Sequence, residues 1–146
     1  MESPFSLTGV VTIKLSHPDG TTSTTVIPNL VVTIGKNWVA SRMANASSAV
    51  MSHMAIGSGT TAASVADSTL QTELTRLALN VAGGTPSGAA VTYSATFGAG
   101  VGTGTVSEAG ILNNASGGTL LARSVFTGIV KAAGDSMDIS WTITAA

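Results

Sequence analysis

Near the carboxyl end, the stretch "SMDISWTIT" sets Met137, Ile139, Trp141 and Ile143 at every second position, with Asp138, Ser140 and Thr142 between them. An extended chain turns successive side chains to opposite faces, so this spacing describes a strand with one face in a core and the other in water. The same period places Val91, Tyr93, Ala95 and Phe97 on one face, and Phe5, Leu7, Val11, Ile13 and Leu15 on another. Strands are predicted over residues 77–81, 89–97, 104–112, 119–126 and 137–144, separated by Gly, Pro, Asn or Ser clusters. Before them, Pro18-Asp19-Gly20 supplies turn chemistry, residues 22–34 return as a strand interrupted at Pro28-Asn29, and "AVMSHMAIG" reads as a further strand.

Helical spacing occurs twice. Trp38, Val39, Arg42, Met43 and Ala46 recur at intervals of three and four, and Ser64 to Asp67 has the Ser-x-x-acid form of a capping box, with Leu70 and Leu74 on one face behind it. Eight or so short strands with two helical interludes predict an all-β fold, an antiparallel β-sandwich of jelly-roll-like type with one or two short helices. The 146 residues form one domain, 1–146, with residues 1–5 as an N-terminal arm.

Charge narrows the partners. Six Lys or Arg against seven Asp or Glu, scattered along the chain, give no basic face for nucleic acid. Charged residues make up 9% of the chain, against about 25% in ordinary soluble domains. Hydroxyl side chains could solvate such a surface, or other subunits could cover it. The second explanation is preferred, because interface cores are depleted in charge and a net charge near zero favours association. The chain has no cysteine, hence no disulfide framework and no Cys metal site. No stretch approaches the length of a membrane span, and the amino terminus lacks the pattern of a cleavable export signal.

No constellation for catalysis or cofactor binding assembles. In "ATFGAGVGTGTVSEAG", Gly98, Gly100, Gly102 and Gly104 alternate, but Thr103 occupies the last glycine position of a dinucleotide fingerprint, so the run is read as a bent corner of the sandwich. "IGSGTTA" fits that spacing better through Gly57, Gly59 and Ala62, yet no parallel βαβ unit follows it, and a structural turn is preferred. His17 is read as a solvent-facing turn residue with only Asp19 near it, and His53 as a core-edge or interface residue. Asp135 and Asp138, the only close acids, are assigned to a hairpin start and an exposed strand position. The expectation is a non-enzyme with no cofactor and no metal.

Glu108 and Arg123 are read as a structural pair. If residues 113–118 close a hairpin symmetrically, the two fall directly opposite each other, an arrangement that stabilises register by a few tenths to about 1 kcal/mol. Candidate interface residues are Pro4 and Phe5, in the arm, and Trp38 and Met43, on the first helix; for the latter two, core packing is the favoured competing role.

Six segments occur in order: "NLVVTIGKNWVASRM" (29–43), "MAIGSGTTAAS" (54–64), "LQTELTR" (70–76), "YSATFGAGVGTGTVSEAGILN" (93–113), "GGTLLARSVF" (117–126) and "GDSMDISWTIT" (134–144). The series resembles small β-rich structural proteins of tailed bacteriophages, described as virion, capsid-decoration or tail-fibre-associated proteins. The resemblance implies a virion component made in the host cytoplasm and carried on the capsid exterior or the tail. It would act as a dimer or trimer, with the major capsid protein as partner and neither nucleic acid nor membrane. A carbohydrate-binding module is the lower alternative, disfavoured because the chain has only six aromatic residues.

Overall fold

The computed structural model describes residues 6–44 and 48–146. The alternating segments become β1 (Leu7–Ser16), β2 (Thr22–Pro28), β3 (Leu30–Val31), β4 (His53–Gly57), β5 (Glu73–Ala78), β6 (Thr85–Ser87), β7 (Ala90–Phe97), β8 (Gly104–Leu112), β9 (Leu120–Lys131) and β10 (Ser136–Ala145), with one helix, α1 (Thr33–Met43), after β3. They form two antiparallel five-stranded sheets, one in the order β2-β1-β10-β7-β6 and the other β3-β9-β8-β4-β5. Val11, Ile13 and Leu15 of β1, Tyr93 and Phe97 of β7, and Met137, Ile139 and Trp141 of β10 pack in one core with Met54 and Ile56 of β4 and Ala109 and Ile111 of β8. Period-2 apolar positions therefore fill the space between the sheets, as the sandwich requires.

Strands pair in nested fashion, first with last: β1 with β10, β3 with β9, and β4 with β8. A jelly roll nests its strands in this way but sends successive pairs to alternate sheets. Here the pairs β3·β9 and β4·β8 lie in one sheet, because β8 and β9 join as a hairpin within it.

Several elements differ from the sequence reading. Residues 64–74 are not a helix. Ser64 N–H donates to Asp67 Oδ2 at 2.9 Å, one half of a capping box, but Asp67 N–H goes to the Ser64 backbone carbonyl at 3.0 Å and the Ser64 hydroxyl accepts the Ala66 N–H instead, so the box is incomplete and closes only an isolated turn. The chain cannot continue as a helix because Asp67 is held by Arg123 and Leu70 is drawn into a small second core with Val32, Ala55, Leu112 and Leu120. The strand expected at 77–81 begins at Glu73, β9 runs on to Lys131, and the three-residue β6 was not anticipated. The arm at residues 1–5, with Pro4 and Phe5, lies outside the described residues.

The loop 58–72 covers the outer face of the β3–β5 sheet over β8, which is buried on both faces from Val106 to Leu112, while α1 packs Trp38 and Val39 against the main core. The helix has no side-chain cap; the Val65 carbonyl of the loop accepts the Thr33 N–H at 2.8 Å. Gly35 lets α1 approach the sheet, since a Cβ there would run into the Leu121 backbone carbonyl. By helix propensity alone, Gly→Ala gains about 1 kcal/mol. We expect the opposite sign for Gly35→Ala, a loss of about 1–3 kcal/mol from overpacking against rigid backbone, measured as a lower urea midpoint with unchanged slope.

Candidate functional site

The most concentrated polar chemistry lies under the loop 58–72, around Glu108. Its side chain is fully buried on the outer face of the β3–β5 sheet, in register with Gly57 of β4. Oε1 accepts the Gln71 N–H at 2.8 Å and the Arg123 Nε–H at 3.0 Å; Oε2 accepts the N–H groups of Gly59 and Thr72, each at 2.7 Å. A carboxylate offers about four lone-pair sites. All four are occupied, so Glu108 has no acceptor left with which to serve as a base or nucleophile.

The Glu108–Arg123 pair forms, but not directly across the hairpin. The loop closes one residue wider than expected, through Asn113 N–H to the Thr119 carbonyl at 3.3 Å, and a bulge between Ile111 and Leu112 adds one more residue on β9. Glu108 therefore stands opposite Val125, and Arg123 opposite Gly110. Two single-residue shifts restore the parity of the pleat, so both side chains stay on one face and meet diagonally. Arg123 Nη1 also donates to Asp67 Oδ2 at 3.0 Å, which ties the isolated turn to the sheet. The pair is buried and diagonal, where the hairpin arithmetic places it directly across the strands.

The glycines of "IGSGTTA" belong to the same cluster. A Cβ at Gly57 would meet Glu108 and the Thr72 carbonyl, and one at Gly59 would collide with the Glu108 carboxylate and Gln71. This glycine loop does cradle an anion, and the anion is the chain's own Glu108. Gln71 extends the arrangement, its Oε1 accepting the N–H groups of Thr60 and Thr61 at 2.8 and 2.9 Å. These loop contacts use backbone N–H groups, which leave no signature in sequence; the legible signal was a lone acid inside an apolar central strand.

A second buried cluster sits at one end of the sandwich. Lys131 is fully buried and its Nζ donates to the carbonyls of Gly98 and Asp135 at 2.8 and 2.7 Å. Burial pushes the Lys131 pKa below its ordinary 10.5, and the nearby Asp135 charge opposes that shift. The glycine corner is therefore anchored by a lysine at its start, and Gly100 and Gly102 take left-handed φ of 76° and 68° within it.

His17 is not left to Asp19. Its Nδ1 lies 2.9 Å from Asp135 Oδ1, whereas Asp19 accepts the Thr21 N–H and hydroxyl. The Ala132 N–H first, and His17 second, hold the Asp135 carboxyl below its ordinary 3.8. A depressed folded-state pKa contributes stability that is present above 3.8 and lost as pH falls through the folded value. Wild-type protein is thus expected to lose stability in that acid window, and Asp135→Asn to show a shallower loss, as read from urea midpoints at a series of pH values between about 2 and 6.

The remaining candidates are dispersed. Trp38 is half-buried against the main core and donates its indole N–H to the Ala49 carbonyl at 2.8 Å, while Met43 is 80% exposed at the end of α1. His53 Nδ1 contacts the Ser52 hydroxyl at 2.7 Å, and Asp138 accepts the Thr96 hydroxyl at 2.7 Å. Tyr93, Phe97 and Trp141 are buried in the core. Among the described residues, no group of three or more His, Asp or Glu is placed to hold a metal ion, and no helix is long and apolar enough to cross a membrane. No family model matches the chain, and no curated protein or solved structure matches it either.

Proposed function

We propose that this chain is a non-enzymatic structural protein of a bacteriophage virion, a capsid decoration protein that binds the major capsid protein shell as an oligomer. The observation that carries the reading is the ordered series of six segments between residues 29 and 144 that resembles tailed-phage virion proteins. The two-sheet sandwich supports it as a fold that presents broad, rigid surfaces, and the 9% charge content supports a surface covered by other subunits. The ionisable clusters around Glu108 and Lys131 give further support, since each holds a loop to a sheet, with the Glu108 carboxylate and the Lys131 ammonium engaged by the chain itself.

A second reading, an adaptor in the tail, fibre or baseplate, draws on the same resemblance, which extends to tail-fibre-associated proteins. Location separates the two. Cryo-electron microscopy of virions containing the protein is expected to place a small β-sandwich at regular positions on the outer capsid lattice. Density at the tail and none on the lattice would transfer the assignment to the second reading.

A further inference from the structure

The four edges of the two sheets are not alike. An open strand edge is a template for pairing, and proteins that stay monomeric blunt it with charge, proline, bulges or brevity. Strand β6 has three residues, one of them Pro86, and β3 has two. Where β9 extends beyond β3, residues 126–128 lie in a register irregularity opposite the single residue Ser107. Strand β5 carries Glu73 and Arg76, ion-paired at 2.7 Å, with the Arg76 guanidinium also binding the carbonyls of Asn114 and Gly117.

Strand β2 has none of these devices along its length. Its seven residues pair with β1 in unbroken register, and its other edge has no strand partner among the described residues. The sequence "TSTTVIP" contains no charge, its proline is the last residue, and Val26 is 63% exposed on the outer face.

We propose that β2 is the self-association edge of this protein: two copies pair β2 to β2, antiparallel about a two-fold axis, joining their five-stranded sheets into one. The strip is its own electrostatic complement. With the axis at Thr25, hydroxyl-bearing and apolar side chains face one another and no like charges meet, whereas any charge on the strip would be duplicated by symmetry. The nearest acid along the chain, Asp19, falls beyond the start of one β2 and faces the uncharged Pro28 end of the other copy. The inference deepens the oligomer part of the proposed function and rests on it.

The test is sedimentation equilibrium of the full chain. Wild type is expected at twice the 14.4 kDa chain mass. Thr24→Lys/Val26→Lys, at two exposed positions, is expected to sediment as a monomer with an unchanged melting temperature. Antiparallel pairing about Thr25 places position 24 of one copy against 26 of the other. An equimolar mixture of that variant with Thr24→Glu/Val26→Glu is therefore expected to recover the dimer mass. A monomeric wild type at about 100 μM, an oligomer indifferent to the lysines, a mass other than the dimer's, or failure of the mixture to reassociate would each overturn the inference. A monomer that still decorates capsid shells would do so while leaving the virion reading intact.

Discussion

Glu108→Ala is expected to lower the unfolding free energy by about 3–5 kcal/mol, the cost of removing one partner from a buried ion pair. The substitution leaves the N–H groups of Gly59, Gln71 and Thr72 without an acceptor and Arg123 with only Asp67. Domains of this kind have about 5–15 kcal/mol in total, so the loss is a large share of the stability and leaves the variant near the edge of folding if the wild type lies at the low end of that range. Urea unfolding measures the loss, and hydrogen exchange locates it, with the amides of Gly59, Gln71 and Thr72 losing protection before the core strands do. Arg123→Met is expected to cost less. It preserves the three backbone bonds to Glu108, and one terminal nitrogen of Arg123 has no protein partner to lose. A change below about 1 kcal/mol in Glu108→Ala, or a larger loss in Arg123→Met, would contradict the hub.

Lys131→Met retains most of the side-chain volume and removes the ammonium, which strands the carbonyls of Gly98 and Asp135. Hydrogen bonds to a charged group contribute about 1.5–3 kcal/mol each, set against the desolvation of a buried lysine, so the expected net loss is about 2–4 kcal/mol. The effect should concentrate at the corner formed by residues 98–104, where the Gly100 N–H bond to the Ala133 carbonyl links the two turns. Faster exchange of the Gly100 amide with little change in the β4–β8 ladder is the expected signature. A neutral or stabilising Lys131→Met would mean that desolvation of the ammonium outweighs its two hydrogen bonds.

The sandwich was legible because its core strands are one-sided. Tyr93, Ala95 and Phe97 of β7 and Met137, Ile139, Trp141 and Ile143 of β10 are apolar and buried at every second position, and the residues between them are partly or fully exposed, so period, phase and extent can be read together. The covered sheet was harder. Strand β8 is buried on both faces, and its outer-face residues Glu108 and Gly110 reveal nothing of the loop that lies over them. Asp67 makes its half of a capping box with the Ser64 N–H, but the anchors that prevent a helix, Arg123 and Leu70, act through tertiary contacts that no local pattern carries. Symmetric closure of the hairpin pairs Glu108 with Arg123, and the two one-residue shifts that separate them in register add to two, so parity keeps both side chains on one face. His17 found an acid 118 residues away because the first turn and the turn before β10 lie at the same end of the sandwich.

The proposed role predicts binding without chemistry. Capsid shells assembled from the major capsid protein alone, mixed with this protein, give the most direct test. The protein should co-sediment with the shells, and the shell melting temperature should climb with its concentration and then level off once the sites are filled, as linkage requires of anything that binds the assembled state better than the disassembled one. Protein left in the supernatant, with shells that melt at the same temperature at every concentration, would contradict the assignment.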